Sequence, residues 1–116
     1  EGIKEYVRQG NVMKRDFFHN TALHRSASMG FTTITRFLLD EGAEVDATAK
    51  DGWTPLHLAC RWGRVGAIRE LVAAGADVEK KTGDGRAPGE LLKPEMTDIE
   101  RNEVVKLLGG EMMYER

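Results

Sequence analysis

A single cysteine, Cys60, in 116 residues rules out an intramolecular disulfide and any zinc site built mainly from thiolates. Such sparing use of cysteine fits a reducing compartment. No apolar run approaches the ~18 residues of a membrane span, and the opening stretch EGIKEYVRQG lacks the apolar core of a secretory signal. The expected location is therefore the cytoplasm or nucleus. Neither sign of charge dominates: 17 Lys and Arg against 19 Asp and Glu leave a net −2, which gives no global case for nucleic-acid or membrane attraction. What is present, 41% apolar and 31% charged residues, is the balance of one folded domain rather than a disordered tail. The first residue is Glu1 rather than Met, so the chain is expected to be a piece of a longer protein, with further repeats upstream.

The sequence repeats itself. Thr21, Leu23, His24, Gly30, Arg36, Leu38, Gly42, Ala43 and Val45 recur 33 residues later as Thr54, Leu56, His57, Gly63, Arg69, Leu71, Gly75, Ala76 and Val78. Leu39/Val72, Glu44/Asp77 and Asp46/Glu79 are near matches in the same register. A unit this short cannot enclose a core, so it must bury its apolar face against copies of itself in a one-dimensional stack. Function then falls to surfaces.

Within residues 49–81, Thr54 suits an N-cap and Pro55 the first helical position, where a missing N–H costs nothing. Leu56, Ala59 and Cys60 follow as one apolar stripe, and Gly63 is the natural stop. In RVGAIRELVAAG, Val65, Ile68, Leu71 and Val72 share a face and predict a second, antiparallel helix ending at Gly75. Helices this short are marginal alone and depend on packing between repeats. Gly83 and Gly85 then permit the positive φ of a tight turn, which predicts a projecting hairpin. Residues 16–48 repeat the plan, with Thr21 as cap, helices from about 22 to 29 and through Phe37, Leu38 and Leu39 to Gly42, and Gly30 between them. Residues 1–15 read as the second helix and exit loop of an incomplete repeat, with Ile3, Tyr6 and Val7 on one side.

Residues 82–116 read as a degenerate capping repeat. Gly85 and Pro88 stay in frame, but Gly89 and Glu90 replace Leu56 and His57, and Pro94 cuts short the first helix. Thr97 to Glu100 form a capping-box pattern ahead of an apolar stripe of Val104, Val105 and Leu108 that ends at Gly109 and Gly110. LLGG falls three residues late against LVAAG, which predicts a longer inter-helix loop around residues 93–97.

TALHRSASMG and TPLHLACRWG, each followed by a second helix and then EGAEVDA or AGADVEK, resemble the ankyrin repeat family, specifically over residues 16–81 and more loosely on either side. The resemblance implies an all-α solenoid of helix-turn-helix units with projecting β-hairpin loops, whose tips and first helices line a concave side. It also implies that Thr21 with His24, and Thr54 with His57, hydrogen-bond within and between repeats, and that this bridge is missing at Gly89 and Glu90.

Catalytic and metal chemistry find little footing. His57 and Cys60 stand at i, i+3, but Cys60 lies on the apolar stripe and Ala27 holds the corresponding place one repeat earlier. No metal, cofactor or enzymatic activity is expected, because no nucleophile, base and oxyanion donor can be assembled. The stretch from Gly83 to Gly89 lacks the Gly-Lys-Ser/Thr of a phosphate loop. The residues that stacking leaves free are more informative. Phe17, Asn20, Met29, Lys50, Trp53, Arg61, Trp62 and Arg86 are predicted to form a partner-binding surface, with one of Phe17 and Phe18 in the core. Around the three tips, residues 14–20, 47–53 and 80–86, six cationic residues face three acidic ones, whereas residues 90–116 carry seven acidic against four cationic. A basic, aromatic rim favours an acidic protein segment as partner of a monomeric, non-membrane module. Two alternatives stay open: single-stranded nucleic acid or nucleotide recognition by Trp53, Trp62, Lys50, Lys80 and Lys81, and an intramolecular spacer or cap of a larger array.

Overall fold

A computed structural model describes residues 2–109. Six α-helices run in order: α1 (Gly2–Arg8), α2 (Ala22–Met29), α3 (Thr32–Asp40), α4 (Pro55–Arg61), α5 (Val65–Ala73) and α6 (Asp98–Leu107). Two short 3-10 turns, Lys50–Gly52 and Pro88–Leu91, complete the described structure. The first helices form one layer, α2 on α4 on the Pro88–Leu91 turn, and the second helices form another, α3 on α5 on α6. Two layers of short rods give a slab 51 × 28 × 23 Å.

Local chemistry sets the helix ends. Thr21 (φ −91°, ψ 173°) and Thr54 (φ −95°, ψ 168°) adopt the same extended cap conformation, and each hydroxyl accepts from the N–H three residues on. Such caps are worth about 1 kcal/mol each. Behind them Leu23, Ala27, Leu56, Ala59, Cys60, Leu38, Ala67, Ile68, Leu71 and Val104 are fully buried. Of the stripes read from the sequence, Leu56, Ala59, Cys60, Ile68, Leu71 and Val104 are thus core, while Val65, Val72, Val105 and Leu108 are half-buried. Ile3 and Val7 of α1 pack on it in part, although α1 buries no residue completely.

The tips also repeat. The N–H of Asp16 donates to the Asn20 carbonyl (2.9 Å), that of Ala49 to Trp53 (2.7 Å) and that of Thr82 to Arg86 (2.9 Å). Neighbouring tips are joined by main-chain bonds, Lys50 N–H to the Phe18 carbonyl at 3.1 Å and Gly83 N–H to the Asp51 carbonyl at 2.7 Å. A Cβ on Gly83 would come within 3.1 Å of that Asp51 oxygen, so a side chain there would press the two tips apart.

The last repeat departs from the others in one layer only. Helix α6 starts 33 residues after α5, and Val104 takes the buried place of Leu71. The second helix is therefore in register; α6 runs one residue longer than α5, so its closing glycine, Gly109, falls one residue late, and the longer connection comes from the shortened first helix. Its first helix is reduced to the four-residue turn Pro88–Leu91, leaving six connecting residues, 92–97, where α4 and α5 are joined by three. Met96, 9% exposed, fills the core from that connection, and Lys93 N–H donates to the Cys60 carbonyl (3.1 Å) at the end of α4. Thr97 caps α6 with the predicted reciprocal bonds to Glu100. Gly110, the expected end of that stripe, lies outside the described residues.

Candidate protein-binding surface

Each first helix is wired to the next tip by one imidazole. His24 Nδ1 accepts from Thr21 N–H (3.0 Å), and its Nε2 lies 3.0 Å from the Trp53 carbonyl of the following repeat. His57 does the same with Thr54 N–H (3.1 Å) and the Arg86 carbonyl (3.1 Å). An N–H can only donate and a carbonyl can only accept, so Nδ1 is bare, Nε2 carries the proton and both rings are neutral. Burial pushes both imidazoles below their ordinary range, in agreement with that geometry. The third repeat keeps half of this device. Glu90 reaches back to accept from Ala87 N–H (3.0 Å), the part His57 plays toward Thr54, but among the described residues it makes no bond to a further tip. The bridge expected to be lost is therefore lost between repeats and retained within one.

These bonds hold the tips rigidly, and the tips display side chains. At the first, Asp16 accepts from the N–H groups of Asn20 (2.8 Å) and Phe18 (2.9 Å), and chiefly the Asn20 bond holds its carboxyl below the usual range. Arg15 donates to the carbonyls of His19 (2.7 Å) and Thr48 (2.8 Å), tying this tip to the next. Phe17 and Phe18 stand 89% and 54% exposed and meet edge to face with centroids 5.1 Å apart. The expectation that one of them enters the core is corrected: the turn, with His19 at φ 66°, projects both. At the second and third tips, Asp51, Trp53, Gly83, Asp84 and Arg86 line a cleft of about 540 Å³. Trp53 is half-buried, its ring 5.8 Å from that of His57, so the indole braces the bridge while forming the cleft wall. Arg86 pairs with Asp84 (3.1 Å), which leaves Lys50, Lys80 and Lys81 as the cations without a salt bridge at these tips among the described residues.

The eight residues singled out in the sequence fall into two groups. Phe17, Asn20, Lys50, Trp53 and Arg86 belong to the tips. Met29, Arg61 and Trp62 lie at the other ends of α2 and α4, roughly 10 Å away along helices of eight and seven residues. There Met29 and Trp62 are 54% and 47% exposed, and Arg61 stands 5.7 Å from the Trp62 ring centroid. Exposed Phe31, beside Met29, escaped the sequence reading because the corresponding residue one repeat later is Arg64. Burial pushes the Cys60 thiol up to about 12, which makes it a packing atom rather than a nucleophile.

Comparison with known proteins agrees with this architecture. The profile described as ankyrin repeats, in three copies, matches residues 1–82. Protein phosphatase 1 regulatory subunit 27 of Mus musculus is 35% identical over 116 residues, spanning 97% of this chain and 71% of that protein. Its Homo sapiens counterpart is 34% identical over 94% of this chain and 77% of its own length. Protein phosphatase 1 regulatory subunit 12A of Mus musculus is 44% identical over 59 residues, only 6% of its length. Repeated caps, two stacked helix layers and these likenesses lead to one conclusion: the chain belongs to the ankyrin repeat family and is a protein-interaction module.

Proposed function

We propose that the chain is a non-catalytic adaptor that grips a polypeptide on the concave flank formed by its tips and first helices, and that the catalytic subunit of protein phosphatase 1 is such a partner. The observation that carries this reading is the likeness to regulatory subunit 27, which spans nearly the whole chain rather than one repeat. Phe17, Asn20, Lys50, Trp53 and Arg86 form the principal contact, with aromatic anchors beside unpaired lysines suited to an acidic stretch. The main-chain and imidazole bonds pre-order this rim, so binding loses little conformational entropy. The protein works as a monomer in the cytoplasm or nucleus.

The test is capture of purified phosphatase catalytic subunit by the immobilised protein. Phe17→Ala removes a ring that is 89% exposed, so it should weaken capture about tenfold at unchanged melting temperature. Trp53→Ala should weaken capture further and also lower the melting temperature, because its ring braces His57. A wild-type protein that captures no phosphatase, or a Phe17→Ala protein that captures it equally well, would refute the reading.

A further inference from the structure

Seven large apolar residues stay exposed among those described, and three of them, Met29, Phe31 and Trp62, lie along the turns joining α2 to α3 and α4 to α5. Met29 and Trp62 hold equivalent positions on packed neighbouring helices, so one interhelix spacing, ~10 Å, separates their backbones. Arg64 lies across the gap: its Nε donates to the Ser28 carbonyl (2.9 Å), and its Cδ is 2.9 Å from where a Cβ on Gly30 would stand. Arg61 covers the Trp62 ring.

Arg8, Arg25, Arg36, Arg69 and Arg86 each face a carboxylate, while Arg15, Arg61, Arg64 and Arg101 have none within salt-bridge reach among the described residues. Arg15 and Arg101 each spend their guanidinium on two main-chain carbonyls, whereas Arg64 makes one such bond and Arg61 none, and these two stand together at one edge. The pattern stops at the third repeat, where Pro94, Glu95 and Thr97 take the places of Arg61, Trp62 and Arg64. Glu95 would repel what the two arginines attract, so the strip has a defined end.

We propose that this edge is a second docking strip, for an acidic polypeptide segment that seats an apolar side chain on Trp62, Met29 and Phe31 and sets carboxylates against Arg61 and Arg64. The inference rests on the protein-binding reading but lies on a different edge from the fingertips. A polypeptide fits better than an anionic membrane, because Arg61, Arg64 and Lys93, whose side chain lies against Gly63, are three unpaired cations among the described residues and fall short of the roughly 4–8 that a polybasic membrane site uses. Apolar contact gives affinity and the planar guanidiniums select carboxylates.

The test uses fluorescence anisotropy at low and physiological salt with a short peptide alternating glutamate with leucine and phenylalanine, beside a control carrying lysine for each glutamate. The acidic peptide should bind at least about tenfold more tightly than the control. Arg61→Glu, at a side chain with no hydrogen bond among the described residues, should weaken it about tenfold with an unchanged thermal melt, and Trp62→Ala should do likewise. Because the fingertips also suit an acidic segment, the Arg61→Glu loss should be as large in a Phe17→Ala background as in the wild type. Equal binding by the Arg61→Glu protein, or sedimentation with phosphatidylserine vesicles by a protein that ignores the peptide, would overturn the strip. Phosphatase capture without peptide binding would overturn the strip and leave the fingertip reading standing; peptide binding without phosphatase capture would do the reverse.

Discussion

The second and third repeats share a sequence frame yet differ in what holds their first helices. In α4 the Thr54 hydroxyl, the His57 ring and the Arg86 carbonyl form a chain of bonds from cap to neighbouring tip. In the third repeat Ala87 has no hydroxyl, Glu90 closes only its own turn, and the helix shrinks to Pro88–Leu91. The second helices, α5 and α6, nevertheless stay in step. The comparison teaches that apolar burial sets the stacking register, whereas a first helix that loses the polar bridge and meets Pro94 shrinks to a turn between its neighbours.

The sharpest way to break that contrast is to remove each polar partner in turn. His57→Ala strands the buried Thr54 N–H and takes from the Arg86 carbonyl one of its two donors, and should cost about 2–4 kcal/mol in denaturant unfolding. Glu90→Ala, at an exposed side chain serving one turn, should cost below about 1 kcal/mol. Equal losses would mean that the bridge between repeats adds nothing to the cap.

Acid should act on the same difference. The folded pKa values of His24 and His57 lie below the ordinary 6.5, so their contribution is complete above that value. As pH falls below it, unfolded imidazoles take up protons first, and stability drops until the buried rings titrate too. Between pH 7.5 and pH 5 the melting temperature should fall by roughly 5 °C. Hydrogen exchange should show the amides of α2 and α4 losing protection before those of α6, which sits in a repeat without histidine. Uniform loss would contradict the assignment.

The smallest effect is a gain. Ala87 already has the extended cap geometry of Thr54, φ −83° and ψ 161°, so Ala87→Thr should supply the missing hydroxyl without rearrangement. A stabilisation of about 1 kcal/mol is expected in the same unfolding assay.

Much of this was legible in the sequence because the repeat duplicates its own evidence. Two copies of Thr, Leu, His and Gly in one frame mark caps, core and stops together, and Thr97 with Glu100 marks α6 unaided. The candidate surface was legible only as residue types. Whether Phe17 and Phe18 point in or out depends on a turn containing a non-glycine residue at positive φ, and apolar character alone carries no such direction. The separation of Trp53 from Trp62 into two edges required the length and placement of α4. Likewise the ion pairs from Arg36 to Glu70 and from Arg69 to Glu103 link second helices across 34 residues, one more than the repeat, so the internal alignment pairs neither.

Neighbouring fingertips are laced by amide and carbonyl groups, atoms that almost every amino acid supplies. Lys50 and Phe18 contribute to that lacing only through their backbones, so their side chains are free to be exchanged without loosening it. Selection can therefore rewrite the vocabulary of the rim while its grammar stays fixed, and one scaffold can acquire new clients by point mutation. The exceptions are Gly52 and Gly83, whose hydrogen atoms guard the spacing on which that freedom depends, and Arg15, whose guanidinium ties the first tip to the Thr48 carbonyl.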